Sequence, residues 1–329
     1  MLELRYPLFD GEKVIDNAVV AIEDGIITAV RGCENADSKY LLMPGLIDAH
    51  THMGTMEQVQ TMLRNGVTAT CDVSASASLV KNAQSFTIIP SAGMAMGVVL
   101  NPKDYVEKAV ANGAAYIKVL LFNTLSIGKG ALRGIVKAAH EKGLRVAVHA
   151  TEVSTVRQSV DCGADILLHV PMKEKFPVTL AEEIAKKNIV VAPTLVMMET
   201  FAGSGRNGYK PEHYKNAEQA VRLLRDKGVT ILAATDANIG SFAPAVSYGS
   251  SMHRELELLV KTGLTPVEAL ASATNKVAQV FGIPDLGEVA IGKRAVLVLA
   301  EGRPDNDITQ SANIKEVWVN GKPILGGSL

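Results

Sequence analysis

The chain is poor in cysteine, tryptophan and aromatic side chains generally: its 329 residues hold three cysteines, one tryptophan and 5% aromatics. Cys33, Cys71 and Cys162 are far apart and odd in number, so they make neither a Cys-x-x-Cys pair nor a disulfide framework. A reducing, cytoplasmic setting is expected. No run of about 18 uncharged apolar residues occurs, so no membrane span is expected. The first residues carry Glu3 and Asp10 and no long apolar stretch, which does not read as a secretory leader. Excess charge is missing too, since 33 Lys+Arg balance 34 Asp+Glu for a formal net charge of -1. A nucleic-acid binder would carry a basic surplus, so nucleic acid is not an expected partner.

What is present is a large core. Hydrophobic residues make up 47% and charged ones 20%, which excludes bulk disorder. The length suggests about two domains, although barrel folds run to ~250 residues as one unit.

The two ends read as β-rich. Residues 17–27 place β-branched side chains around a Glu-Asp-Gly turn, a hairpin signal. Residues 295–300 and 314–319 read as short strands, and Asn320-Gly321 is a turn dipeptide. Each flank is close to the lower size limit for folding alone. Together they predict one small discontinuous β-sandwich domain from residues 1–42 and 284–329. The middle, 43–283, alternates strands with helices. Strands are expected at 45–49, 67–73, 87–91, 116–121, 145–149, 165–170, 189–195 and 229–235. Helices are expected at 102–111, 131–142 and 180–187. The second places Leu132, Ile135, Val136 and Ala139 on one face and stops at Gly143. Eight strands in this span match an α/β fold of the (β/α)8 TIM-like barrel type. An open doubly wound sheet competes, but no G-x-G-x-x-G follows the first strand.

The chemistry concentrates in few residues. In Asp48-Ala49-His50-Thr51-His52, two histidines two apart at a strand end face the same way and can converge on one cation. His149 and His169 also end apolar strands, so four of seven histidines fall where barrel strands open onto one mouth. His140, His213 and His253 read as ordinary surface residues. Asp236 follows the last expected strand, as a metal ligand, a proton acceptor or a helix cap. Lys118 lies inside Tyr116-Ile117-Lys118-Val119-Leu120-Leu121, where burial of an ammonium is costly. Pairing with Asp236, a Schiff-base role, and a carbamate formed with carbon dioxide are three readings of it.

The order Pro44-Gly45-Leu46-Ile47-Asp48-Ala49-His50-Thr51-His52, Tyr116-Ile117-Lys118-Val119, Val146-Ala147-Val148-His149-Ala150, Ile166-Leu167-Leu168-His169 and Thr235-Asp236 resembles the amidohydrolase superfamily. Its imidazolonepropionase-like and Xaa-Pro dipeptidase-like branch is the nearest in pattern. Ala192-Pro193-Thr194-Leu195, Gly292-Lys293-Arg294-Ala295 and the Val317–Gly321 stretch add to the likeness, which covers nearly the whole chain. The resemblance implies a distorted barrel, a β-sandwich from both termini, and a binuclear centre. His50, His52 and Asp236 would hold one metal, His149 and His169 a second, and a carbamate on Lys118 would join them. Zn2+ is the expected ion, one or two per chain, with Mn, Fe, Co or Ni as alternatives. The implied reaction is attack of a metal-activated hydroxide on a C–N bond of an amide, cyclic amide or dipeptide-like substrate, or on a lactone, with Asp236 moving the proton.

Three features depart from that pattern. Only residues 53–66 separate His52 from the next strand, Phe122-Asn123-Thr124-Leu125-Ser126 replaces a glycine-rich stretch, and Val296 stands where Asp is frequent. The first two suggest an open or differently shaped pocket. His149-Ala150-Thr151-Glu152 also fits a heterocycle deaminase with a single metal on His50, His52, His169 and Asp236, and Lys118 fits a Schiff-base lyase. Glu152 reads equally as an acid at a helix N-terminus. Asn123, Thr151, Met197, Met198 and Asn238 are candidate substrate contacts by position, and Arg206 or Tyr209 candidate lid residues. The expected partner is a small-molecule substrate; homo-oligomer formation stays open.

Overall fold

The computed structural model describes residues 1–122, 127–241 and 243–325. Four strands open the chain: β1 (Leu2–Phe9), β2 (Val14–Glu23), β3 (Ile26–Gly32) and β4 (Tyr40–Pro44). Five-residue β13 (Leu297–Glu301), then β14 (Ile314–Val319) and β15 (Lys322–Leu325), come from the other end. All seven join one sheet in the order β15-β14-β13-β4-β1-β2-β3. The seam is antiparallel pairing of β13 with β4, from Leu297 opposite Pro44 to Glu301 opposite Tyr40. Asp24-Gly25 and Asn320-Gly321 turn their hairpins with positive φ at both residues, which Asn, Asp and Gly tolerate best. Leu8, Val20, Ile27, Leu42, Leu297 and Trp318 form this sheet's own apolar cluster. Neither flank could bury that cluster by itself.

The middle strands are parallel, as fully buried βα units require. β5 (Leu46–Thr51), β6 (Val67–Asp72) and β7 (Thr87–Pro90) make a three-stranded arc. β8 (Met94–Ala95), β9 (Ile117–Leu120), β10 (Val146–His149), β11 (Ile166–Leu168) and β12 (Val190–Ala192) make a five-stranded one. The arrangement is a TIM-barrel-like α/β fold. Two-residue β8 was not anticipated from the sequence; it pairs Met94 with Lys118. The strand expected at 229–235 does not form a continuous ladder. Its backbone groups are divided among neighbours: Leu232 donates to Val191, Ala233 donates to Ser272 and accepts from Ala49. Single bridges, Val191 with Ile231 and Thr51 with Ala237, link this segment to both arcs.

Helices cover the arcs with apolar faces. The helix Lys129–Glu141 begins two residues before the apolar spacing suggested and buries Leu132, Ile135, Val136 and Ala139. The helix Pro102–Ala111 coincides with its expected span, started by Asn101 and a proline in the first turn. Residues 180–187 lie within and just past the helix Val178–Lys186. His253 is a correction: it is buried in the helix Ser250–Lys261, not at the surface. Its Nε2 meets the Asn65 carbonyl at 3.1 Å and its Nδ1 the Ser311 hydroxyl at 3.0 Å. Its polar neighbours are no sign of exposure, because Ser251 and Glu255 are buried in the same helix. No described helix is long and apolar enough to cross a membrane.

Candidate metal and active site

His50 and His52 lie on and just past the C-terminal end of β5, both turned the same way by the two-residue period of a strand. Asp236 arrives from the far side of the sequence. Its backbone N–H donates to the His50 carbonyl at 2.9 Å, and the His52 N–H donates to Ala237 at 2.9 Å. These bonds bring Asp236 Oδ1 to 3.4 Å from His50 Nε2 and 3.0 Å from His52 Nε2. One ligand atom from each of the three lies within 4.8 Å of the others. His149 ends β10, and its ring is 4.5 Å from that of His169 just past β11. The His169 ring is in turn 5.7 Å from that of His50. Lys118, in β9, is 1% exposed, and its Nζ has no hydrogen-bond partner among the described residues. It makes no ion pair with Asp236, whose Oδ1 faces the two imidazoles.

Burial controls the protonation of this group. Desolvation, then the neighbouring Lys118 charge, hold His50 well below the ordinary histidine range. The same two causes bring His149 down to about 3, and desolvation with the His149 and Lys118 charges lowers His169. Desolvation brings Lys118 down to about 7, partly opposed by Asp236. The imidazoles of His50, His149 and His169 are therefore neutral near pH 7, the form that binds a cation. Hydrogen bonds at the other ring nitrogen orient two of them: His52 Nδ1 meets Ser74 Oγ at 3.0 Å and His169 Nδ1 meets Thr194 Oγ1 at 2.8 Å. Such outer contacts orient metal-binding histidines.

Backbone strain gathers at the same place. His169 (φ 71°), Thr194 (φ 50°) and Asp236 (φ 57°) are left-handed, a conformation costly for a β-branched threonine above all. Buried carboxylates hold these turns. Asp48 accepts from the Thr235 N–H at 3.0 Å, the Thr235 hydroxyl at 2.6 Å and the His50 N–H at 3.1 Å. Desolvation raises Asp48 to about 7 against those bonds. Asp72 accepts from Thr51 Oγ1 and Met53 N, both at 2.6 Å, and from Ser74 N at 2.7 Å. It ties the His52 strand end to the loop that carries Ser74. Glu255 accepts from the N–H groups of Leu195 at 3.0 Å and Val196 at 2.7 Å, directly after Thr194. Asp72, Thr194, Ser74 and Glu255 were not assigned roles from the sequence. Thr194 lies within the Ala-Pro-Thr-Leu motif, whereas Glu255 carries no local signal, because its partners are 60 and 59 residues away.

The expected substrate contacts fare differently. Thr151 is half-buried at the mouth, beside Tyr209. Met197 and Met198 are buried in the helix Leu195–Ser204 and belong to the main core. That helix carries apolar residues around its surface, so core packing claims both. Asn238 spends its amide on its own loop, donating to the Asp236 carbonyl at 2.8 Å and accepting from Gly240 N at 2.7 Å. Asn123 lies outside the described residues. Glu152 caps the helix Val153–Cys162, accepting from its third backbone N–H. In residues 203–208, Arg206–Gly208 form one short 3-10 turn, and Tyr209 packs on Phe201 with Lys173 over its ring.

A parallel-stranded barrel-like fold with histidines and an aspartate gathered at strand ends defines a class of candidate metalloenzymes. The chain belongs to the amidohydrolase family, whose model matches residues 41–324. An imidazolonepropionase of Anaeromyxobacter sp. (strain K) is 33% identical over 170 residues, covering 51% of this chain. The matched stretch spans 36% of that protein's length. The ochratoxinase of Aspergillus niger is 25% identical across 96% of this chain and 84% of its own. A crystal structure of a Xaa-Pro dipeptidase with bound methionine in the active site has a TM-score of 0.84, with 19% identity and 98% of each chain covered. At that identity the likeness establishes the fold alone.

Proposed function

We propose that this chain is a metal-dependent hydrolase of C–N bonds, acting on an amide, cyclic amide or dipeptide-like substrate, or on a lactone. The observation that carries the reading is the gathering of four imidazoles and the Asp236 carboxylate near Lys118, whose buried Nζ has no partner among the described residues. An orphaned buried amine is costly, and a donor set of this composition fits Zn2+ and similar ions. His50, His52 and Asp236 would hold one ion, and His149 and His169 a second. Lys118, as a carbamate with carbon dioxide, would supply the shared oxygen ligand. Mn, Fe, Co or Ni suit the same donors. When bound, such ions lower the pKa of water and polarise a carbonyl. Asp236 holds the proton released from water and returns it to the leaving nitrogen. His52 beside it keeps that carboxylate in place.

In this reading residues 43–283 are the catalytic barrel, closed through the 229–237 segment, and 1–42 with 284–329 a β domain, built on the seven-stranded sheet, that braces it. Glu152 stands at the start of the helix Val153–Cys162 with its carboxylate 3.5 Å from the Thr155 hydroxyl, which favours the helix-end reading of this acid over a deaminase role. The test is metal analysis joined to a screen of N-acyl amino acids, dipeptides, lactones and aminated heterocycles. Hydrolysis of an amide that stops with a chelator and returns with Zn2+ is expected. Full activity in metal-free protein removes the proposal, and ammonia release from a heterocycle replaces it. A borohydride-trapped adduct on Lys118 replaces it with the lyase reading.

A further inference from the structure

One loop holds the backbone of both histidines of β5. Beyond Asp236 the chain doubles back, and Asn238 pairs antiparallel with Val246, their N–H groups donating to each other's carbonyls at 3.1 Å and 3.3 Å. Tyr248 lies two residues further on and returns to the site. Its hydroxyl donates to the His52 carbonyl at 2.5 Å. At the other end of the loop the Asp236 N–H donates to the His50 carbonyl at 2.9 Å. The first bond needs a hydroxyl at position 248, whereas any residue but proline could supply the second. Gly249 seats the tyrosine. Its φ is 76°, and a Cβ there would lie 2.7 Å from Asn65 Nδ2 and 2.9 Å from the Thr61 carbonyl oxygen, so only glycine lets the chain pass this close.

His52 needs such support more than His50 does. The His50 side chain is 2% exposed and fixed by packing, while that of His52 is 28% exposed. His52 also stands one residue beyond β5, where the strand no longer holds it. Its polar groups go instead to three separate segments. The N–H donates to Ala237, Nδ1 meets Ser74 Oγ, and the carbonyl accepts from Tyr248. Burial, then the Asp72 and Asp236 charges, oppose ionisation of the phenol, so the hydroxyl remains a donor. Small errors in the aim of a ligand are costly, and contacts outside the donor set control that aim. We propose that Tyr248 is a positioning residue of the first metal site, where its grip on the His52 carbonyl aims His52 Nε2 at the ion shared with His50 and Asp236. The role rests on the metal-dependent reading above, which it extends by one residue. Tyr248 itself touches neither ion nor substrate in this role.

The test titrates metal-free protein with Co2+, followed by calorimetry and by the visible absorption of the bound ion, which reports its ligand geometry. Tyr248→Phe keeps the ring and removes the hydroxyl. It is expected to weaken Co2+ binding about 10–100-fold and to alter the absorption of the ion that remains bound. A tyrosine that only packs would leave both unchanged, because the ring stays. Replacing Tyr248 by 4-aminophenylalanine returns a donor to the same position and should restore most of the affinity and the original absorption. Unchanged affinity and absorption in Tyr248→Phe overturn the inference, and so does failure of the amine to restore them. If Tyr248→Phe does not fold, the 4-aminophenylalanine protein decides: Co2+ bound as in the unaltered protein supports the role, and a weakened site overturns it. Normal Co2+ binding by Tyr248→Phe with amide cleavage intact removes the Tyr248 role alone. Weakened binding in a protein that cleaves no amide removes the hydrolase reading and leaves the role standing. An unaltered protein that takes up no Co2+ removes both.

Discussion

Thr235 gives Asp48 two hydrogen bonds across 187 positions, from its N–H at 3.0 Å and from its hydroxyl at 2.6 Å. The pair fastens the strand that carries His50 and His52 to the segment that carries Asp236. Thr235→Val keeps the shape and removes the hydroxyl. A bond of this kind contributes about 1.5–3 kcal/mol when the acceptor is charged. The urea midpoint should fall accordingly, and metal content should fall with it. An unchanged midpoint would mean that the two segments are held by their backbone bonds alone.

Glu255 and Thr194 act on His169 from outside the donor set. Losing such outer support typically weakens metal affinity 10–100-fold. Thr194→Val is expected to fall in that range, and, in the two-ion arrangement proposed above, the ion held by His149 and His169 should be lost first in a chelator titration. Glu255→Ala leaves two buried N–H groups unpaired and should both destabilise the fold and lower that affinity. Equal loss of both equivalents would show that His169 does not belong to a separate site.

Lys118→Met should separate stability from activity. It removes a buried amine with no partner and keeps the volume, so metal-free protein is expected to gain about 0.5–2 kcal/mol. Hydrolysis is expected to vanish, and bicarbonate is expected to raise the activity of the unaltered protein but not of the variant. A variant of lower thermal stability would place an undetected partner on the amine.

Acid should destabilise the fold through His253. Desolvation brings this imidazole down to about 4. The unfolded chain, near 6.5, therefore binds more protons than the native one between those values, and stability rises with pH there. The contribution is complete above about pH 6.5 and is lost as pH falls through 4, for a total of about 3 kcal/mol at most. Chemical denaturation across pH 4–7 should show a shallower slope for His253→Gln. The same slope in both proteins would assign the effect to other groups.

Much of the site could be read locally. The two histidines of β5 announce themselves by their spacing, and His149, His169 and Lys118 by interrupting apolar strands. Seven of the eight expected barrel strands were legible to within three residues at their ends, because a parallel strand buried on both faces is a short apolar run; the eighth, at 229–235, shares its backbone bonds among several neighbours instead. Two-residue β8 was not, since Met94-Ala95 differs little from its surroundings and is a strand only because Lys118 and Val119 lie beside it. His253 was misplaced for the complementary reason. A helix surrounded on several sides buries polar and apolar faces alike, and spacing cannot say how many neighbours it has.

Residue type and order by themselves determined the family, the strand-and-helix alternation and the identity of the candidate ligands, because each depends on near neighbours in the chain. Tertiary structure decided how the donors are held. The carboxylates of Asp48, Asp72 and Glu255 act on partners between 2 and 187 positions away. The left-handed turns at His169, Thr194 and Asp236 persist among those bonds and the packed strands around them. A short stretch of sequence cannot specify a strained conformation that is stabilised by the rest of the molecule.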